Sequence, residues 1–269
     1  AGPVLGLVAD VEGNLWIRMR SPRIIRYRVG NFHGTQSDLN HNELGFTAMC
    51  RSQDGEMILS SLINGLLRFS QGKFVSLASF ADRPNFLVLA MAEMPDHSIW
   101  MGTRDAGLYR LQNGQITAAP NGLPDPKINC LLPDNAQHLW VGTDNGVARW
   151  NGTEITRAGV PQQLRQVQAL TMLQDRDANI WIGTATNGLR RLRADGAMAS
   201  EADSQHSGKA VTALFEDREG SLWVGTAQGL ERLRDGVFTT YSTTEGLPSE
   251  NNGPLFQDAQ NRTWIAPSE

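Results

Sequence analysis

The histidines of this chain lack the spacing of a known catalytic or metal site, and the sequence contains no recognised nucleophile motif. The five histidines are His33, His41, His97, His138 and His206. None of them has the His-Glu-x-x-His spacing that puts two imidazoles on one helix face for zinc. The sequence also lacks a Gly-x-Ser-x-Gly nucleophile elbow and a glycine-rich phosphate loop. We therefore predict a non-enzymatic chain with no catalytic residue, no cofactor and no metal site.

Aspartate recurs six residues before a repeated anchor position, which is usually tryptophan, and arginine recurs nine or ten residues after it. The aspartates, six residues before that position, are Asp10, Asp134, Asp175, Asp217 and Asp258. The arginines are Arg26, Arg68, Arg110, Arg149, Arg191 and Arg232. We predict that they form structural Asp–Arg contacts rather than a cationic ligand site. Such pairs contribute about 0 to 1 kcal/mol when they are exposed.

Charge and composition exclude several functional classes. The chain has 24 basic and 28 acidic residues and a net charge of −4, and its basic residues do not cluster. This composition argues against nucleic-acid binding, which needs Lys and Arg to neutralise phosphates. No apolar run approaches the roughly 18 residues of a membrane span. Cys50 and Cys130 lie in repeats that are not neighbours, which predicts buried free thiols rather than a disulfide.

A repeat of about 41 residues organises the whole sequence. Its anchor positions are Trp16, Ile58, Trp100, Trp140, Trp181, Trp223 and Trp264, at intervals of 42, 42, 40, 41, 42 and 41 residues. Four copies continue from the tryptophan into Gly-Thr, and a Gly followed by an aliphatic residue comes next. Each complete copy reads as four short strands separated by Gly, Asp and Asn. The anchor tryptophans are predicted to pack between neighbouring copies.

This pattern predicts an all-β fold, a seven-bladed β-propeller of four-stranded antiparallel blades. Residues 1–269 form a single propeller domain, and the last blade is incomplete because the seventh copy supplies two strands. We expect the chain to be a piece of a longer multidomain protein. Trp150 lies outside the repeated column, and its role stays open.

The segment "DREGSLWVGTAQGLERLRDGVFTTYSTTEGLP" resembles the two-component regulator propeller repeat, and "DNAQHLWVGTDNGVARWNG" and "DRDANIWIGTATNGLRRL" match it well. The resemblance implies the periplasmic sensor domain of a bacterial inner-membrane signalling protein. The output module would be a histidine kinase or a diguanylate cyclase outside this chain. It also implies a homodimer, and an oligosaccharide, another small molecule or a protein as the partner. Two alternatives stay open: a lyase resembling virginiamycin B lyase, and a protein-interaction scaffold.

Loops on one face of the blades are the predicted binding surface, because binding residues commonly lie on loops that a rigid scaffold holds in place. These loops connect strands two and three or join successive blades, and their polar side chains differ from blade to blade. The candidate residues are Asn64, Arg83, Arg104, Asp105, Asp125, Asp144, Asn145, Arg165, Asn187, Gln228, Glu245 and Glu250.

Overall fold

A computed structural model gives the fold of the chain. It describes residues 4–10, 12, 14–19, 24–28, 31–34, 45–83, 86–199, 209–226, 228–234, 237–247, 249, 252–258 and 262–267. These residues form short antiparallel strands, with 3-10 helices at Gln162–Leu164 and Thr243–Glu245. None of the helices within these ranges is long and apolar enough to cross a membrane.

The chain divides into two compact units, and the first is Ala1–Ala119 with Pro126–Ile128. Its three sheets each contain four strands in sequential order. The first sheet consists of β1 (Val4–Ala9), β2 (Leu15–Met19), β3 (Ile24–Arg28) and β4 (Asn31–Gly34). The second consists of β5 (Phe46–Arg51), β6 (Met57–Ser61), β7 (Gly65–Ser70) and β8 (Lys73–Ala78). The third consists of β9 (Val88–Glu93), β10 (Ile99–Thr103), β11 (Leu108–Gln112) and β12 (Gln115–Ala118).

The second unit is Pro120–Asp125 with Asn129–Glu269. Its first sheet consists of β13 (Ile128–Pro133), β14 (Leu139–Thr143), β15 (Gly146–Trp150) and β16 (Ile155–Thr156). The next has three strands, β17 (Ala169–Gln174), β18 (Ile180–Thr184) and β19 (Leu189–Leu192). A four-stranded sheet follows, with β20 (Val211–Glu216), β21 (Leu222–Thr226), β22 (Gly229–Arg234) and β23 (Val237–Tyr241). The last sheet pairs β24 (Asn252–Gln257) with β25 (Thr263–Pro267).

The all-β propeller class is confirmed, but the prediction of seven four-stranded blades is wrong. The described residues form six blades, and the seventh copy contributes only the two-stranded ladder β24–β25. Within the described residues, the fifth blade has three strands and an isolated bridge between Leu192 and Met198.

The anchor tryptophans pack on the following copy, as predicted. Trp16 joins a cluster with Phe46 and Leu59 of the second blade. Trp181 packs with Val211 and Val224 of the sixth. Trp16, Trp100, Trp140 and Trp181 are each at most 7% exposed. Because a single blade cannot bury both of its faces, these rings supply much of the apolar area that holds adjacent blades together.

The aspartate that recurs six residues before the anchor accepts a hydrogen bond from the anchor indole. Trp181 Nε1 donates to Asp175 Oδ2 at 2.8 Å, and Trp223 Nε1 donates to Asp217 Oδ2 at 2.7 Å. The same bond occurs at Trp16, Trp140 and Trp264. Burial would raise the pKa of Asp217, but the bonds from Trp223 and Ser221 and the nearby Arg232 lower it overall.

The arginine column covers the face of the same indole. The guanidinium carbon of Arg191 lies 5.1 Å from the Trp181 ring centroid, and that of Arg232 lies 5.2 Å from the Trp223 centroid. Arg26, Arg110 and Arg149 stack on their anchors in the same way. Among the described residues, three of these arginines lie within 4.0 Å of an aspartate: Arg232 is 3.8 Å from Asp217, Arg110 is 2.5 Å from Asp96, and Arg68 is 4.0 Å from Asp54. The predicted Asp–Arg contact thus occurs with the recurring aspartate in the sixth blade, and with an aspartate four residues before the anchor in the second and third blades.

A second link joins neighbouring blades and involves a Glu or Gln that ends the inner strand. Its side-chain oxygen accepts a hydrogen bond from a backbone N–H in the preceding blade. These bonds are Gln53 N–H to Glu93 Oε2 at 2.6 Å, Asn135 N–H to Gln174 Oε1 at 2.8 Å, Arg176 N–H to Glu216 Oε2 at 3.0 Å, and Arg218 N–H to Gln257 Oε1 at 3.0 Å. The turn between strands one and two of one blade is thus fixed by the next blade.

The Gly-Thr motif shapes the turns that carry the candidate site. The threonine hydroxyl donates to the carbonyl of the Gly before strand three, and its oxygen accepts an N–H from within the turn. In the fifth blade, Thr184 Oγ1 donates to Gly188 O at 2.7 Å and accepts from Asn187 N at 2.9 Å. Thr103, Thr143 and Thr226 make the same pair of contacts.

The glycine of the same motif is required by the close approach of the next blade. A Cβ placed on Gly183 would lie 2.6 Å from Thr171 Cγ2 and 2.7 Å from Val211 Cγ1. Real side chains do not tolerate such distances without displacement of their neighbours. The Gly-Thr pair therefore combines tight packing of blades with a defined turn.

We expect Asp175→Ala to lower the free energy of unfolding by about 2 to 3 kcal/mol, because it removes a charged acceptor from the Trp181 indole and from the Asn179 backbone N–H. Urea unfolding measures this loss. Asp177→Ala in the same turn is the control, since Asp177 is exposed, and a change within about 0.5 kcal/mol is expected. Equal losses in the two variants would contradict this role of Asp175.

We expect Thr184→Val to lower the free energy of unfolding by about 1 to 3 kcal/mol, because it keeps the shape of the side chain but leaves the Asn187 N–H without its acceptor. The Gly188 carbonyl loses the hydroxyl donor and keeps the Thr184 backbone N–H. The exposed Thr186→Val in the same turn is the matched control and should be nearly neutral. A Thr184→Val protein as stable as the control in urea would show that the hydroxyl does not hold the turn.

Candidate functional site

Three residues of the predicted binding surface lie in the turns between strands two and three of the first unit. Asn64 lies in the β6–β7 turn, where its N–H donates to Ser61 Oγ at 3.1 Å. Ser61 therefore replaces the threonine of the other blades, a substitution that the sequence comparison missed. Arg104 and Asp105 are exposed neighbours in the β10–β11 turn, and Arg104 Nε donates to Asp105 Oδ2 at 2.8 Å. This pair leaves the turn with little net charge.

Arg83 lies in the loop between the second and third blades and is held by aromatic rings. Its guanidinium carbon is 5.8 Å from the Phe86 centroid and 5.4 Å from the Tyr109 centroid. Its Nη2 donates to the Ile116 carbonyl at 3.1 Å. Stacking of this kind is favourable for arginine, whose planar guanidinium is weakly hydrated. The side chain is therefore fixed in one place before any ligand arrives.

The polar residues of the fourth blade converge around Asp144 in the second unit. Asp144 Oδ1 accepts a hydrogen bond from Asn129 Nδ2 and another from Gln168 Nε2, each at 2.8 Å. The Asn129 amide also donates to the Ala169 carbonyl at 3.0 Å. All three side chains are partly exposed. A carboxylate and two carboxamides thus present both donors and acceptors from three separate segments of the chain. We call this group the Asp144 cluster.

Two arginines lie beside the turn that carries the Asp144 cluster. Arg165 Nε donates to the Val160 carbonyl at 3.2 Å, and its Nη2 donates to the Arg157 carbonyl at 3.4 Å. Arg157 donates in turn to the Arg165 carbonyl. That carbonyl is next to Gly146, the residue after Asn145 in the β14–β15 turn. The structure thus brings Asp144, Asn145 and Arg165 of the predicted set to one edge of the fourth blade.

The other predicted residues are spread around the second unit. Asn187 and Gln228 are exposed in turns held by Thr184 and Thr226. Asp125 is partly buried in the loop before β13. Glu245 accepts hydrogen bonds from the Ser242 hydroxyl and N–H, which lower its pKa and explain this residue as a local helix cap. Glu250 lies outside the described residues.

Sequence reasoning missed Asn129, Gln168 and Arg157. One signal was available for Asn129, because the corresponding positions in four other copies are Leu5, Thr47, Leu89 and Leu170, and an amide differs from them in hydrogen-bonding capacity. Gln168 and Arg157 lie in a segment between blades whose sequence differs from copy to copy, so spacing alone does not identify them. Only the fold shows that these residues approach Asp144 and Asn145.

His97 and His138 belong to turns between strands one and two. His97 has a φ of 59°, the left-handed position that Gly55 and Gly220 occupy in other blades. Its Nδ1 lies 3.4 Å from Glu93 Oε1, and His138 Nδ1 lies 3.2 Å from Asp134 Oδ2. His33 is in β4, whereas His41 and His206 lie outside the described residues. Within the described ranges, no group of three or more His, Cys, Asp or Glu side chains is arranged to hold a metal ion.

Both cysteines are free thiols, as predicted. Burial raises the pKa of Cys50 to about 12, with a further contribution from the charge of Glu93. Burial likewise raises the pKa of Cys130 to about 12. Because the thiolate is the reactive form, neither cysteine is suited to act as a nucleophile near neutral pH.

Solved structures with the same fold include extracellular domains of proposed one and two component systems and lyases. The chain has a TM-score of 0.80 and 21% identity to the extracellular domain of a proposed one component system from B. thetaiotaomicron, covering 100% of this chain and 37% of that one. A proposed hybrid two component system of the same organism gives 0.63 and 16%, with 97% and 43% covered. A catalytically inactive virginiamycin B lyase from Staphylococcus aureus, solved with quinupristin, gives 0.77 and 15%, with 99% and 92% covered.

The sequence comparisons point to one repeat family. No curated protein matches the chain. The chain spans 37% of the length of the extracellular domains that it resembles first. The profile of the family described as two component regulator propeller matches residues 122–145 and 206–228. The first segment contains the Trp140 anchor and the second contains the Trp223 anchor. Both matches support the family predicted from the sequence. Two segments of this chain thus match the two component regulator propeller family.

Proposed function

We propose that this chain is the extracytoplasmic ligand-sensing domain of a bacterial transmembrane signalling protein of the two-component or cyclic-di-GMP type. The domain itself is non-catalytic in this proposal, and a kinase or cyclase module elsewhere in the protein supplies the output. The match of two segments to the repeat family supports the proposal, as does the likeness in fold to extracellular domains of one and two component systems. Because signalling by this family implies a dimeric protein, we also propose a homodimer.

The observation that carries the proposal is the contrast between constant turns and variable side chains. Four turns are closed by the same threonine contacts, but their exposed residues differ: Arg104 and Asp105, Asp144 and Asn145, Asn187, and Gln228. A rigid scaffold that presents different polar groups on each blade suits an asymmetric ligand.

The Asp144 cluster is the proposed centre of the ligand site in the second unit. Hydroxyl groups both donate and accept hydrogen bonds, and the cluster offers both functions within one small area. The ordered guanidinium groups of Arg157 and Arg165 add donors beside it. These groups fit a polyhydroxylated small molecule, and we propose an oligosaccharide as the ligand class. A protein ligand is the alternative for the same face.

The lyase alternative has no specific support in the site. The resemblance to virginiamycin B lyase is one of fold. His97 and His138 are accounted for by the geometry of single turns, where each contacts a carboxylate four residues earlier. The sensor function therefore stays the preferred proposal.

A ligand screen by thermal unfolding tests this proposal. We expect at least one of a panel of neutral and acidic di- to hexasaccharides to raise the Tm, because a ligand at about 100 times its Kd adds about 2.7 kcal/mol of stability. Asp144→Asn should weaken binding by tenfold or more, about 1.4 kcal/mol. Asp177→Asn, in a turn between strands one and two, is the control and should bind like the unaltered protein. The proposed ligand class is wrong if no saccharide shifts the Tm, and the proposed site is wrong if Asp144→Asn binds unchanged.

A further inference from the structure

The exposed turn between β15 and β16 of the fourth blade carries an Asn-Gly pair. Asn151 and Gly152 are both exposed, as are Thr153 and Glu154, which complete the turn. The Asn151 N–H donates to the Glu154 carbonyl at 3.2 Å and closes the turn. Gly152 has a φ of 101°, and a Cβ built on it would meet no atom within 4 Å beyond its chain neighbours. Solvent therefore reaches the backbone around Gly152.

The side-chain carbonyl of Asn151 accepts three hydrogen bonds. Its Oδ1 accepts from the Thr153 N–H at 3.0 Å, from the Thr153 hydroxyl at 2.9 Å and from the Glu154 N–H at 3.0 Å. Three donors on one oxygen withdraw electron density from Asn151 Cγ and make it more electrophilic. They also stabilise the negative charge that develops on Oδ1 when a nucleophile attacks Cγ, as the donors of an oxyanion hole do. The next nitrogen in the chain is that of Gly152, which has no Cβ to shield it.

Asn-Gly pairs in the turns between strands two and three have a different environment. These pairs are Asn64-Gly65, Asn145-Gly146 and Asn187-Gly188, and the glycine of each is buried. A Cβ built on Gly146 would lie 2.4 Å from the Arg165 carbonyl oxygen. Gly146 also pairs with Thr143 in the β14–β15 ladder. The backbone beside Asn145 is therefore held by packing, whereas the backbone beside Asn151 is open.

We propose that Asn151 is a self-modification site, at which the Gly152 nitrogen attacks Asn151 Cγ and the asparagine becomes aspartate or isoaspartate. The bond from nitrogen to Cγ forms as solvent water accepts the Gly152 proton, and the Thr153 and Glu154 donors stabilise the charge on Oδ1. Nδ2 then takes a proton from water and leaves as ammonia, which closes a five-membered succinimide ring. A water molecule adds to one of the two ring carbonyls and opens the ring. The net reaction consumes one water and releases one ammonia, without oxidation or reduction.

The fold accepts the aspartate product, because the fifth blade already has aspartate in the turn after its third strand. That turn contains Asp195, followed by Gly196 and Ala197. Asp195 Oδ1 accepts the Ala197 N–H at 2.9 Å, which is the counterpart of the bond from the Thr153 N–H to Asn151. Conversion to aspartate therefore adds a negative charge to the exposed turn and keeps an acceptor for the same N–H.

Mass spectrometry of the folded protein, incubated in neutral buffer at physiological temperature, tests this site. The tryptic peptide of residues 150–157 contains Asn151, and that of residues 128–149 contains the control residue Asn145. We expect Asn151 to convert about tenfold faster than Asn145 or more, because the backbone at Gly146 must first open locally. Both aspartate and isoaspartate should form at residue 151, since only the succinimide ring opens in two ways.

Two variants of Thr153 test the part played by its hydroxyl. Thr153→Val removes one donor to Asn151 Oδ1 and should slow conversion about two- to tenfold, less than the loss of a buried oxyanion donor because the turn is exposed. Thr153→Ser keeps the hydroxyl and should convert like the unaltered protein. Urea unfolding confirms that both variants fold. The proposal is overturned if Asn151 converts no faster than Asn145, if aspartate forms without isoaspartate, or if the valine and serine variants convert at the same rate.

Discussion

Three different contacts hold each of four recurring tryptophans, Trp16, Trp140, Trp181 and Trp223, and the stacking of the repeats depends on this arrangement. The indole N–H donates to the aspartate six residues earlier, and one ring face lies under a guanidinium from the third strand. The remaining surface packs on the following blade. A buried indole N–H needs an acceptor, and arginine can cover an aromatic ring without leaving water completely. The three contacts together fix the orientation of a large side chain, and this orientation sets the spacing of adjacent sheets. Trp100 keeps the same ring position with Ser98 as its acceptor, and Ser98 bonds in turn to Asp96.

The fold class could be predicted from the sequence because the anchor, the Gly-Thr pair and the third-strand glycine repeat at one spacing. The partner of the arginine could not, since spacing places Asp175 and Arg191 at the same end of a blade but does not show that the Trp181 ring lies between them. The links through Glu93, Gln174, Glu216 and Gln257 were missed because two residue types alternate at this position and Pro133 interrupts them. The Asp144 cluster was found only in part. Asn129, Asp144 and Gln168 come from separate segments, and their convergence is a property of the tertiary structure.

The hydrogen bonds that hold the strand two–strand three turns and the exposed side chains of these turns belong to different residues. The threonine contacts lie within the turn backbone and are buried, whereas the side chains of Asn145, Asn187 and Gln228 point away from them and are exposed. Substitutions at the exposed positions leave the hydrogen bonds of the turn intact. The free energy of unfolding and the chemistry of the surface are therefore determined by different residues.

The bonds between successive blades impose an order on the way the chain is completed during synthesis. The backbone N–H of Asn135 donates to Gln174, and that of Arg176 donates to Glu216. The acceptor for each turn is therefore a residue that is synthesised about forty positions later. A blade leaving the ribosome exposes this donor and one apolar face until the next blade has been made. Because translation proceeds at about 5 to 20 residues per second, this interval lasts roughly 2 to 8 seconds. Each newly made blade thus keeps an unpaired turn N–H and an exposed apolar face for that time. The following blade then supplies the acceptor and covers this face.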